Sequence, residues 1–357
     1  MPDTWFAIPG ELATPTGGYK YDARVMAELR ALGWNMRHLA LPGDFPSPSE
    51  ESLIATERTL TATPADATIL FDGLALGALP AAILDRVPRR YIALIHHPLA
   101  YETGISPERA AVLHAFEREA LTRTPRVVVT STTTAEFLVQ DFNVARSRIT
   151  VAEPGTEPAP RARGDSEVRL LGVGSITPRK GFDTLVAALA DLTDLNWQCR
   201  IAGSFDRDLA TADKLRRQIA NAKLEKRVHL LGALTEHELA GEYDRATLFV
   251  LPSHFEGYGM AFTEALARGL PVVACEGGAV TTTVPADAGL FVAPGDAKAL
   301  AARLRWLLTN PAEIRQRARC GMVARGDAAA LAGHCAKNRH RFAGSFSAEG
   351  ACMSGFS

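Results

Sequence analysis

The sequence predicts two successive α/β units, each built on a parallel sheet covered by helices. Three observations point there. Short apolar runs alternate with amphipathic stretches from the first residues to about residue 310, a Pro- and Gly-rich stretch interrupts them once at 153–164, and a new apolar run then restarts the pattern. Strands buried on both faces read as continuous apolar runs, and their alternation with helices argues for parallel sheets with ligands at the carboxyl ends of the strands. With 357 residues the chain is long enough for two such cores.

In the first half the runs Thr4 to Ile8, Met36 to Ala40, Thr68 to Phe71, Tyr91 to Ile95 and Val127 to Thr130 read as strands. Amphipathic segments near 19–32, 50–62, 107–123 and 132–140 separate them. The first strand leads to Thr14-Pro15-Thr16-Gly17-Gly18-Tyr19, a turn that opens a helix. The fourth ends in His96-His97-Pro98, which puts an imidazole at the end of a strand where ligands gather, although a lone histidine there also serves structure. A further strand, Ile149 to Ala152, precedes the interruption, so residues 1–152 are expected to form one domain and 153–166 a linker.

The second domain is expected over 167–325. Val168 to Gly172 is its first strand, followed by Thr177-Pro178-Arg179-Lys180-Gly181 and a helix whose apolar residues Phe182, Leu185, Val186, Leu189 and Leu192 keep helical rhythm. Two cations at a glycine turn before a helix N-terminus suit a diphosphate, since oriented amides and charge act together. Gly172 and Gly174 imitate the opening of a dinucleotide fingerprint, but Thr177 stands in the third glycine's place and no acidic ribose partner follows. Asp206-Arg207-Asp208 imitates a metal-binding pair without clustered ligands and reads as a surface turn. Val228 to Leu231, Leu248 to Pro252 and Pro271 to Cys275 are the next strands, and a helix near 296–309 closes the pattern. Residues 326–357 form a tail whose end, from about Gly344, lacks periodicity and is expected to be disordered.

The chain carries 39 Lys and Arg against 40 Asp and Glu, with an acidic excess in its first part, which argues against a nucleic-acid binder. The five cysteines are odd in number and lack any C-x-x-C pair, so neither a disulfide framework nor a zinc site is expected. The first residues carry no basic stretch before a long apolar run, and no segment reaches membrane-spanning length; a cytoplasmic location is expected.

The most informative stretch is Pro252-Ser253-His254-Phe255-Glu256-Gly257-Tyr258-Gly259-Met260-Ala261-Phe262-Thr263-Glu264. Glu256 falls in a loop and Glu264 about two turns into the following helix, so two carboxylates are poised to grip two ends of a polar ligand. Alone, two glutamates more often mean a solvated acidic loop followed by an ordinary helix with one surface Glu; their context reverses that reading. Their setting resembles the E-x7-E signature of retaining glycosyltransferases of group 1, family 4, with its Pro-Ser-x-x-Glu-Gly lead-in. Arg179-Lys180-Gly181 after the first strand of the second half matches a second signature of that family.

The resemblance runs from about residue 4 to 310. It implies a GT-B architecture, two Rossmann-like domains with parallel sheets facing across a cleft, the first for the acceptor and the second for the donor. It implies transfer of a hexosyl group from a UDP- or GDP-sugar, with retention, without a cofactor or metal. The acceptor is a small molecule, a lipid or a glycan, a lipid entailing peripheral membrane contact. Arg179 and Lys180 would neutralise the departing diphosphate, Glu264 would hold the ribose, Glu256 the sugar hydroxyls, and His96 the sugar from the first domain. Gly17, Gly18, Gly203, Leu234, Gly257, Tyr258 and Gly259 would line the donor's path. Two positions depart from the pattern: Ser175 replaces a frequent Arg, and Val280-Thr281 a frequent Pro-Glu. Two other activities stay open from the sequence, a weakly active nucleotide-sugar binding protein and an NAD-dependent oxidoreductase.

Overall fold

The computed structural model describes residues 3–14 and 16–325, the side chains of 322–325 excepted. The tail at 326–357, expected to end in disorder, lies outside the described residues. The described chain divides into two compact units, one ending at Pro154 and the other beginning at Gly155.

The first unit runs β1 (Thr4–Pro9), α1 (Gly17–Ala31), β2 (Met36–Leu41), α2 (Glu50–Thr61), β3 (Thr68–Asp72), α3 (Gly73–Leu76), α4 (Ala81–Arg86), β4 (Arg90–Ile95), α5 (Pro107–Thr122), β5 (Arg126–Val129), α6 (Thr132–Gln140) and β6 (Ile149–Val151). Its six strands are parallel in the order β2-β1-β3-β4-β5-β6. From β1 the chain steps outward to β2 and then returns to β3 on the other side of β1. Order therefore reverses between β1 and β3, and a crevice opens at their carboxyl ends. Local chemistry sets the helix starts there: the Thr16 hydroxyl caps α1 and the Asp72 carboxylate caps α3. Tyr19 ties the first turn of α1 to the end of β1 by donating to the Pro9 carbonyl at 2.6 Å.

The second unit runs β7 (Arg169–Val173), α7 (Phe182–Ala190), β8 (Gln198–Ala202), α8 (Leu209–Asn221), β9 (Val228–Gly232), α9 (Glu236–Arg245), β10 (Leu248–Leu251), α10 (Met260–Ala267), β11 (Val272–Cys275), α11 (Val280–Thr283), β12 (Gly289–Val292), α12 (Ala297–Thr309) and α13 (Pro311–Arg325). Its sheet is again six parallel strands, ordered β12-β11-β10-β7-β8-β9. The reversal lies between β7 and β10, so the loops after these two strands meet. One core per unit holds each sheet to its helices, and Phe182, Leu185, Val186 and Leu189 of α7 are all buried against the second sheet. Burying each such side chain contributes roughly 1.5–3 kcal/mol.

Several elements had no sequence signal. β8 is an interior strand, yet Arg200 at its centre breaks the apolar run; the structure accommodates it by pairing its guanidinium with Glu242 of α9 at 3.2 Å. β12 is a four-residue edge strand whose two central residues, Leu290 and Phe291, are only half-buried, so it lacks the fully buried apolar run of the equally short β10 and β11. Glu264 falls in the second turn of α10, not two turns in, because the helix begins only at Met260.

Glu117 of α5 is buried, with Oε2 accepting from the Leu99 amide at 3.1 Å and Oε1 lacking a partner among the described residues. Burial pushes its carboxyl up to about 8, and the Leu99 hydrogen bond only partly opposes this. A carboxyl raised on folding binds its proton more tightly in the native state. It leaves stability intact below the unfolded value near 4.5 and erodes it as pH rises from there to about 8. Glu117→Gln is therefore expected to raise thermal stability at pH 8 by roughly 1–3 kcal/mol and to change little at pH 4. Melting curves at both pH values check this; an equal effect at both contradicts it.

Candidate active site

The richest constellation lies at the β7/β10 reversal of the second unit. Arg179 and Lys180 sit in a short 3-10 turn after β7, and Gly181 turns the chain into α7. Gly181 has φ 65°, and a Cβ there would fall 2.1 Å from the Pro252 carbonyl oxygen, so the turn can lie against the end of β10 only with glycine. The His254 amide donates to the Arg179 carbonyl at 2.7 Å and stitches the two loops together.

Glu256 is buried beneath the two cations. Its Oε1 accepts from Lys180 Nζ at 2.6 Å and from the Ser253 hydroxyl at 2.6 Å, and Oε2 accepts from Arg179 Nη1 at 3.2 Å. The same Nη1 donates to the Phe255 carbonyl at 2.8 Å. Burial alone would raise the Glu256 carboxyl, but the Lys180 and Arg179 charges and the Lys180 and Ser253 hydrogen bonds outweigh it and hold it at about 2. The Glu256 backbone is tied to the loop after β11 by Glu256 N to Gly277 O, 3.2 Å, and Ala279 N to Glu256 O, 2.8 Å. The carboxylate is thus a fixed counter-anion that orients two cations.

Gly257 is buried, Tyr258 is half-buried with its carbonyl accepting from the Thr283 hydroxyl at 2.7 Å, and Gly259 caps α10. Glu264 stands on α10 with Oε2 accepting from the Tyr243 hydroxyl at 3.0 Å. Gly203 follows β8 against the loop after β7; a Cβ would fall 1.8 Å from the Gly174 carbonyl oxygen. Leu234 lies half-buried just after β9. The Lys180 stem runs over Gly174, about where a Cβ on that glycine would sit 3.1 Å from it. Of the two glycines that imitate a dinucleotide fingerprint, Gly174 is therefore covered by the lysine, and Gly172 packs against the Phe182 ring and the Val250 carbonyl.

A second constellation occupies the β1/β3 reversal of the first unit. Gly17 and Gly18 open α1, and a Cβ on Gly18 would lie 3.6 Å from the His96 ring. His96 Nε2 lies 3.1 Å from Asp22 Oδ1 and 3.7 Å from Asp72 Oδ2. Its carbonyl accepts from the Thr130 hydroxyl at 3.1 Å, and the Tyr21 ring stands edge-on at 5.5 Å between centroids. His97 is drawn away, with Nε2 3.3 Å from Glu102.

Sequence reasoning missed Ser253, Tyr243, Asp22 and Asp72 as supports. Signals existed for two: Ser253 belongs to the quoted lead-in, and Asp72 is an ionisable residue ending an apolar strand run. Asp22 and Tyr243 are revealed only by packing.

Residues 156–326 match the model of a family described as glycosyl transferases group 1. Among curated proteins, the MMP alpha-(1->4)-mannosyltransferase of Mycolicibacterium hassiacum is 26% identical over 290 residues, 76% of this chain and 69% of that one. The D-inositol 3-phosphate glycosyltransferase of Frankia alni is 32% identical over 230 residues, 58% of this chain and 56% of that one. Across such relatives the chain spans between 51% and 69% of their length. Among solved structures, a sucrose-phosphate synthase from Thermosynechococcus elongatus superposes with a TM-score of 0.82 at 22% identity, covering 98% of this chain and 100% of that one. Anabaena HepE in complex with UDP and glucose superposes with a TM-score of 0.75 at 17% identity, covering 97% and 100%. At these identities the two superpositions speak to fold alone.

Proposed function

Through residues 156–326 the chain belongs to the group 1 glycosyl transferases, with a GT-B pair of parallel sheets, and from that premise we propose that it transfers a hexosyl group from a nucleoside-diphosphate sugar to an acceptor hydroxyl. The observation that carries this reading is the pair Arg179 and Lys180, fixed on buried Glu256 beside the N-terminus of α7.

As the glycosidic bond to the diphosphate breaks, negative charge grows on the leaving oxygens. Cations and helix amides already in place meet it without reorganisation, and one such preorganised donor is worth about 3–4 kcal/mol in an enzyme site. In this reading no metal is needed for the charge, and the configuration at the anomeric carbon is retained. Glu264, oriented by Tyr243, takes the ribose hydroxyls, and the base lies near Leu234. Glu256 acts first through the two cations, its Oε2 being also able to accept a sugar hydroxyl. The first unit is assigned the acceptor, and His96 a contact to the sugar. UDP- and GDP-hexoses are the donors to try.

The test is nucleoside diphosphate release from a panel of UDP- and GDP-hexoses with small-molecule, glycan and lipid acceptors, with NMR of the product's anomeric proton. Release with one donor series and a retained configuration is expected. An inverted product removes the retaining mechanism, and no release above chemical hydrolysis with any donor removes the transferase reading.

A further inference from the structure

The site in the first unit contains more ionisable groups than a sugar-contacting histidine requires. Asp22 and Asp72 are both buried, and the ionisable groups acting on the cluster are these two and His96, one each from α1, the end of β3 and the end of β4. Two ionised carboxylates and one imidazole would leave uncompensated negative charge away from water, which is strongly disfavoured.

The geometry offers one arrangement that satisfies every group. Asp72 receives the Leu74 amide at 2.6 Å and stays ionised. One oxygen of each carboxyl and a ring nitrogen of His96 all lie within 4.8 Å of one another, so two ionised carboxylates would repel at close range away from water, and a proton shared between them removes that repulsion. Asp22 Oδ2 is buried with no partner among the described residues, and a proton carried there would supply a donor toward the neighbouring carboxyl. Asp22 Oδ1 then accepts from His96 Nε2. With one proton on the carboxyl pair, the remaining negative charge is balanced by a protonated His96.

We propose that Asp22 and Asp72 are positioning residues that share one proton and hold His96 as a fixed imidazolium, so that its Nδ1 acts toward a ligand only as a charged donor. The ligand group it takes is an oxygen acceptor, a hydroxyl or carbonyl, and His96 does not serve as a general base. His96 Nδ1 has no hydrogen-bond partner among the described residues, and the side chain retains 22% exposure, so the donor is open to such a group. Burial pushes the Asp22 carboxyl up to about 8, the direction that keeps a proton on it, and His96 is raised to about 10, against burial, by the charge and hydrogen bonds of the carboxyl pair taken together. The proposal deepens the role assigned to His96, but its protonation state can be read without any substrate.

The experiment is an NMR pH titration of ring-labelled histidine in the full chain, with His96 identified by the signal lost in His96→Gln. In the wild type the His96 ring is expected to stay in the imidazolium state from pH 5.5 to 8.5. Asp72→Asn, which keeps an acceptor for Leu74, removes the balancing charge and should lower the His96 midpoint by two pH units or more. Asp22→Asn copies a protonated carboxyl, with an oxygen for His96 and an N–H for Asp72, and should shift the midpoint by less than one. A wild-type midpoint between 6 and 7 overturns the proposal, as does an Asp22→Asn shift as large as that of Asp72→Asn. Displacement of the His96 signal by stoichiometric zinc or manganese, with proton release, overturns it in favour of a metal site. Because no donor or acceptor is present, failure of the transferase reading leaves this result standing.

Discussion

Lys180→Ala is expected to lower turnover by two to three decades while the second unit keeps its fold. The number follows from losing one preorganised cation where leaving-group charge develops, about 3–4 kcal/mol of transition-state stabilisation. The substitution has a second consequence, because Lys180 Nζ lies 2.6 Å from buried Glu256. Arg179 and Ser253 remain, so Glu256 keeps part of its support, but its carboxyl should rise from about 2 toward the ordinary range. A carboxyl depressed on folding contributes stability that is fully present above the unfolded value near 4.5 and is lost as pH falls toward 2. Lys180→Ala should therefore lose stability at a higher pH than the wild type does on acidification. Turnover at neutral pH and melting curves from pH 3 to 7 measure the two effects separately. Unchanged turnover removes Lys180 from the diphosphate site, and an unchanged acid profile removes the coupling to Glu256.

Glu256→Gln should separate binding from chemistry. The amide keeps nearly the same shape but leaves Lys180 and Arg179 without their shared counter-anion, and breaking one partner of a buried ion pair costs roughly 3–5 kcal/mol of stability. The variant is expected to melt earlier without ligand and to recover most of that loss when a nucleoside diphosphate supplies the missing negative charge. Its affinity for the diphosphate should equal or exceed the wild type's, because the two cations no longer have to be shared, whereas turnover should fall at least tenfold because their positions are no longer fixed. Weaker diphosphate binding with intact turnover would place Glu256 on the nucleotide instead.

Much of this arrangement could be read from the sequence, for physical reasons. Interior parallel strands announce themselves as apolar runs, so β1, β3, β4, β7 and β10 were legible together with the loops at their carboxyl ends. Those loops carry His96, Arg179, Lys180 and Glu256. β8 was hidden because Arg200 interrupts its apolar run, and that arginine is tolerated only because Glu242 faces it across a tertiary contact. The supports of the site were hidden for a similar reason. Asp22 is one acidic residue on a helix, and nothing local reveals that its side chain is buried beside the ends of two strands. Spacing also gave no hint that Glu256, a candidate ligand for sugar hydroxyls, is already held by two cations and a serine.

The most direct measurement is titration calorimetry of UDP, GDP and ADP into the wild type and Lys180→Ala, with circular dichroism to confirm that both are folded. The account predicts that one diphosphate binds the wild type, that binding weakens as salt is raised, and that Lys180→Ala reduces the affinity at least tenfold. Equal affinity in the two proteins, or no binding of any diphosphate to the folded wild type, contradicts the claim that the second unit is built around a diphosphate.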